Sequence, residues 1–230
     1  RDQMVEEFAS LEDGIEVLSL AAALAKYNWM GADFAGFSRR KNMWRALSAE
    51  KDEVTRAVAE NDKKVGALAE KHVESDGNVI IAHPGAKSKH PINSQLIMEN
   101  NRMQYVHNIL ISMPGSQLTV ASTCTYHCGS KDNHQYVVGG KHYGVSEFYV
   151  EKDSELCFSM VWFIVDLTQI HTWCNSYVAL PRSGAIVEDN GVFYSNYVCL
   201  EPVIKVQMCP LADLRGENAV AKFSSVLLAR

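Results

Sequence analysis

The stretch STCTYHCGSKDNHQYVVGGKHYGVSEFYV, residues 122–150, gathers Cys124, His127, Cys128, His134 and His142. Thiolates and imidazoles are the ligands that zinc and iron favour, so this is where the sequence is richest in metal-ligand chemistry. Cys124-x3-Cys128 has the spacing of half a structural zinc site, but His134-x7-His142 misses the second close pair such sites use. A zinc finger is therefore not expected. By residue type Cys124, at a predicted strand end, is the first ligand candidate, with His127, Cys128 and His142 beside it and solvated loop polarity or packing as their plainer reading.

Other residues carry weaker signals. Cys157 alternates with Leu156 and Phe158, which puts it on the opposite face of a strand without saying which face is covered. Cys199 and Cys209 sit in apolar strings and read as small core residues. Asp166 and the pair Glu147/Glu151 have the chemistry of acid–base catalysts, but with no cleft to hold them they read as solvated charge.

These residues have to be positioned by two regions of different grammar. Residues 1–75 read as a helical region. Phe8, Leu11, Ile15, Leu18 and Ala22 recur at spacings of three and four, which predicts one helix face, weakened locally by Gly14. A second helix is predicted from Ser48 as N-cap through AEKDEVTRAVAEN. Residues 76–230 read as β. Apolar strands are interrupted by short polar turns at Pro114-Gly115-Ser116, Asp153-Ser154, Asp189-Asn190-Gly191 and Gly216-Glu217-Asn218. Irregular repetition of strand–turn–strand units predicts stacked β structure in which each unit hides its apolar side against its neighbours. A right-handed parallel β-helix fits that pattern, with a β-sandwich or cupin-like barrel as the competitor.

Bulk properties narrow the function classes. A net charge of −5 argues against nucleic-acid binding, which needs clustered Lys and Arg. No apolar run approaches the ~18 residues a membrane span requires. RDQMVEEFAS lacks the features of a signal peptide, so the six cysteines are expected to be reduced thiols in the cytoplasm.

Three segments are more specific than any periodicity: HYGVSEFYVEKDSELCFSMV (142–161), LPRSGAIVEDNGVFYSNYVCLEPV (180–203) and LADLRGENAVAKFSSVLLA (211–229). With NNRMQYVHNILISMPGSQLTVASTC (100–124) and MWRALSAEKDEVTRAVAEN (43–61), they resemble the SufB/SufD family, scaffolds of SUF-type iron–sulfur cluster assembly, and most closely its short archaeal-type members. The resemblance runs over residues 41–230. It implies a right-handed parallel β-helix flanked by helical segments, and a scaffold rather than an enzyme. It further implies a transient iron–sulfur cluster, or iron, as the bound species. The partners it implies are a SufC-like ABC-type ATPase, a SufB/SufD paralogue or a second copy in a homodimer, and a cysteine desulfurase system as sulfur source.

The chain also departs from the family. It stops at Arg230, ahead of a conserved Cys, a His-Glu pair and an ATPase-docking helical domain. The β-helix is therefore expected to be incomplete at that end, as a fragment or with a second chain supplying those parts. SMVWFIVDLTQIHTWCNS lacks an IHNW-like string, so His171 and Cys174 receive no role. PRSGAIVEDN has no cysteine, so the sulfur-accepting thiol of some bacterial members has no counterpart. Two other classes compete: a β-helix carbohydrate-active enzyme, which would need clustered acids on successive rungs, and a cupin-like metal enzyme, which would need closely spaced histidines.

Overall fold

The computed structural model describes residues 14–27, 77–98, 103–126, 141–164, 178–199, 205–206 and 208–227. It is mainly β. In chain order the elements are β1 (Ile15–Ser19), α1 (Leu20–Lys26), β2 (Asn78–Ala82), β3 (Ile92–Met98), β4 (Met103–Ser112), β5 (Gln117–Tyr126) and β6 (Lys141–Val150). They continue with β7 (Glu155–Ile164), β8 (Val178–Val187), β9 (Val192–Cys199), β10 (Lys205–Val206), β11 (Cys209–Leu214) and β12 (Val220–Leu227).

From β2 to β9 successive strands alternate between two sheets. The first has the order β1-β2-β4-β6-β8, with β10 and β11 both paired to β8; the second has the order β12-β9-β7-β5-β3. Among the described residues every strand pairing is parallel except that of β1 with β2. Parallel neighbours need a crossover between them. Here the crossover between β4 and β6 includes a strand of the other sheet, β5, and the same holds along the chain.

Alternation along each strand explains why both faces of the first sheet are apolar. In β4, Val106 and Leu110 enter the core between the sheets, whereas Ile109 and Ile111 pack on the other face with Leu20 and Ala23 of α1. Phe148 lies at the centre of the inter-sheet core, its ring 4.9 Å from those of both Phe158 and Phe193 on the second sheet. A buried side chain of this size contributes roughly 1.5–3 kcal/mol of hydrophobic stabilisation.

The strand–turn–strand units fall where the sequence puts them, and their turns stack. Pro84-Gly85 and Pro114-Gly115 carry proline followed by a positive φ (74° and 70°), the signature of type II turns. Asp153, Asn190 and Asn218 take the same left-handed position in later turns (φ 57°, 51° and 57°). The first four of these N–H groups donate to the next turn: Gly85 to Pro114, Gly115 to Lys152, Asp153 to Asp189 and Asn190 to Glu217, at 2.8–3.1 Å. Side chains repeat the ladder, with Asn190 donating to Asp153 at 2.8 Å and Asn218 to Asn190 at 3.0 Å. Asn190→Ala is expected to cost about 1–2 kcal/mol, because alanine resists left-handed backbone and ends both side-chain bonds. Asn190→Gly, which keeps the backbone, should cost less. Urea unfolding of the two variants measures the difference, and equal losses would contradict it.

The single helix expected over residues 8–22 needs correction. Ile15–Ser19 is a strand, and only Leu20–Lys26 is helical, capped by the Ser19 hydroxyl, which accepts from Ala22 N–H at 3.1 Å. Pairing in register with β2, from Ile15 opposite Ala82 to Ser19 opposite Asn78, overrides the helical spacing. Glu16 holds this segment by accepting hydrogen bonds from Lys26 and Tyr27, with His83 Nε2 at 3.2 Å. The helix predicted from Ser48 lies outside the described residues.

Candidate functional site

The space between the sheets changes character along its length. Near the stacked turns it holds Leu110, Leu118, Phe148, Leu156 and Phe193, all at most 2% exposed. In the strand halves remote from the turns, polar residues take over. Gln104 on β4 and His142 on β6 are register partners, and His142 Nδ1 lies 2.9 Å from Gln104 Oε1. Next come Asn108 on β4, Ser146 on β6 and Ser183 on β8, which share one row of the sheet.

His142 is 2% exposed. Burial disfavours its charged form and pushes its pKa down to about 4, so the ring is neutral at physiological pH. Gln104 Oε1 is an acceptor suited to an Nδ1–H, and the ring's other nitrogen is Nε2. A β-carbon at position 144 would stand 2.6 Å from that Nε2, so glycine is what lets the ring lie over its own strand. Gly144→Ala should displace the imidazole and cost about 1–3 kcal/mol, as overpacking of a filled core does. Urea unfolding checks it, and an unchanged midpoint would contradict it. A cavity of about 40 Å³ adjoins the ring.

Of the residues singled out by the sequence, the structure describes some and brings few together. Cys124 lies in β5, its register partners being Leu96 on β3 and Trp162 on β7. It therefore sits in the opposite sheet from His142, though both occupy strand halves remote from the turns. His127, Cys128, His134, Asp166, His171 and Cys174 lie outside the described residues. Among the described residues no group of three or more His, Cys, Asp or Glu is placed to hold a metal ion.

The remaining cysteines resolve by face. Leu156 and Phe158 point into the core, so Cys157 is on the outer face of the second sheet, half-buried. Partial burial raises the Cys157 thiol pKa and the nearby Glu155 adds to this, with a hydrogen bond to Ser159 opposing them, so thiolate character is suppressed. Cys199 is 3% exposed and belongs to the inter-sheet core, in keeping with its reading as a small apolar residue. Cys209 opens β11 opposite Arg182.

One polar group was not anticipated, and it revises the reading of Glu147 as solvated charge. Glu147 is 1% exposed; its Oε1 lies 2.8 Å from His107 Nε2, also on a 1% exposed side chain, and its Oε2 accepts from the Tyr149 hydroxyl. Glu151 stands apart from it at the turn after β6. The sequence did hold a signal: Glu147 and Tyr149 share parity with Ile109 and Ile111 through the β4–β6 register. That register becomes visible only once the strands are paired.

No family model matches the chain. Curated relatives do. An "iron-sulfur cluster assembly SufBD family protein" of Archaeoglobus fulgidus is 35% identical over 228 residues, 99% of this chain and 51% of the relative. Two SufBD family proteins of Methanothermobacter thermautotrophicus, from strains Winter and Delta H, are each 30% identical over 216 residues, 94% of this chain and 45% of the relative. The chain thus spans about half the length of the curated relatives it matches. Over the half of those proteins that it spans, the chain is homologous to curated members of the iron–sulfur cluster assembly SufBD family.

Proposed function

We propose that the chain is part of an iron–sulfur cluster assembly scaffold, on which nascent cluster, or the iron and sulfide that form it, is held as cargo. The observation that carries this reading is the 35% identity to a SufBD family protein across 99% of the chain. In this reading residues 76–230 coil as a right-handed parallel β-helix behind an N-terminal region, 1–75. Two features support the coil: strands alternate between two parallel sheets, and five turns stack on one another. Parallel crossovers are right-handed almost without exception.

Cys124 is the proposed principal ligand, with His142 as a neutral nitrogen donor and His127 and Cys128 as further candidates. The thiolate supplies the bonds that iron and bridging sulfide need, and the imidazole contributes a lone pair without adding charge. The proposed partners are a SufC-like ABC-type ATPase that drives conformational change, a SufB/SufD paralogue or a second copy, and a cysteine desulfurase system that delivers sulfur. The scaffold itself performs no turnover chemistry and works in the cytoplasm.

Cluster transfer tests the proposal. Loaded anaerobically with ferrous iron and sulfide and freed of excess reagents, the protein should convert an apo-ferredoxin to its cluster-bound form, read by circular dichroism. Bound iron and sulfide that reach the acceptor no faster than unbound reagents would count against a scaffold.

A further inference from the structure

Asn190-Gly191, in the turn between β8 and β9, is the one Asn-Gly pair in the sequence. Packing dictates both residues. Asn190 has φ 51°, in the left-handed region that glycine, asparagine and aspartate tolerate best. Its amide donates through Nδ2 to Asp153 Oδ1 at 2.8 Å and accepts at Oδ1 from Asn218 at 3.0 Å. Glycine at 190 would make neither bond, and aspartate would set two carboxylates against each other. At 191 a β-carbon would stand 2.9 Å from both Glu188 O and Val187 Cγ1 and 3.2 Å from Val150 Cγ1, so only glycine fits.

The pair is chemically labile. With no side chain on Gly191, its backbone nitrogen can approach the side-chain carbonyl carbon of Asn190. The nitrogen loses its proton and bonds to Cγ, the Cγ–Nδ2 bond breaks, and the proton leaves with the amide nitrogen as ammonia. Water then opens the cyclic succinimide at either carbonyl, leaving aspartate or isoaspartate. No oxidant or reductant takes part.

In the folded chain the reacting groups are all engaged. Gly191 N–H donates to Glu188 O at 2.9 Å, and Asn190 N–H donates to Glu217 O at 2.8 Å. Both ends of the Asn190 amide are held by the neighbouring turns. Attack therefore requires this turn to leave the stack, a local opening rather than global unfolding.

We propose that Asn190 is a deamidation site gated by the stacked turns, guarded while Asp153 and Asn218 hold its amide and modified when they let go. The change is one-way. An acid at 190 faces Asp153 across the lost bond and stands beside Asp189, so the product weakens the ladder that resisted its formation. The site goes beyond the scaffold reading and does not rest on it.

The test follows deamidation of the full chain at mildly alkaline pH by peptide mapping with mass spectrometry. Asn218→Gly and Asp153→Gly each remove one ladder partner and keep the left-handed backbone, which glycine accepts. Wild type unfolded in urea gives the unguarded rate, and Asn190 should be converted there ahead of every other asparagine. Folded wild type should react at least about tenfold more slowly, since only its open fraction reacts. Each glycine variant should react about two- to tenfold faster than folded wild type, the population change that one lost hydrogen bond gives. A folded rate equal to the unfolded one, variants no faster than wild type, or earlier conversion of another asparagine overturns the proposal. Circular dichroism shows whether each variant is folded, and where one is not, the other variant and the ratio of folded to unfolded rates decide.

Discussion

Glu147→Ala is expected to destabilise the protein by at least about 2 kcal/mol, because it deprives two buried groups of their hydrogen-bond partner and each such loss costs about 1–3 kcal/mol. Both side chains of the His107–Glu147 pair are 1% exposed. Truncation would remove the His107 contact at 2.8 Å and the acceptor of the Tyr149 hydroxyl together. Water cannot replace either partner without opening the packed face formed by Ile109, Ile111, Tyr149 and α1. Replacing both partners by apolar side chains, as in His107→Leu with Glu147→Leu, should recover much of the loss, because no buried polar group of the pair is then orphaned. Urea unfolding of the single and double variants checks this. A single-variant loss below about 1 kcal/mol would mean the pair is not buried as described.

The second large effect is a pH dependence traceable to His142. Its folded pKa of about 4 lies below the ordinary value of 6.5, so the native state binds fewer protons there than the unfolded chain does. Stability is therefore fully present above pH 6.5 and is lost as pH falls from there toward 4, with no further loss from this group below that. A shift of this size corresponds to about 3 kcal/mol across the window. His142→Gln, which keeps polarity but cannot take up the proton, should show a shallower decline over the same range. Unfolding free energies at several pH values measure the difference between the two proteins. Parallel curves would show that His142 is protonated as readily in the native state as in the unfolded one.

Much of the fold was legible because its determinants are local. Pro114-Gly115 and Asp189-Asn190-Gly191 announce left-handed turn positions by residue type alone, and the apolar strings between them set the strands. What was hidden is long-range. The spacing of Ile15, Leu18 and Ala22 is compatible with a helix, and only the pairing of Ile15–Ser19 with β2 makes that stretch a strand. Likewise, alternation places Cys157 opposite Phe158, but only the packing of Phe158 against Phe148 reveals that Cys157 faces outward. The burial of Glu147 could not be inferred from a composition that makes carboxylates solvated by default. At the site, Cys124 and His142 were visible as ligand types. The contact of His142 with Gln104 needed the β4–β6 register, which joins residues well separated in sequence.

The measurement that tests the scaffold most directly is anaerobic reconstitution of this chain with ferrous iron and sulfide, beside a Cys124→Ala variant. Bound iron, acid-labile sulfide and visible absorbance are read after gel filtration. A cluster on the wild type that is absent or much reduced in the variant is the expected result. Equal iron and sulfide on both proteins, or none on either, would contradict the proposed assignment of Cys124 as a cluster ligand.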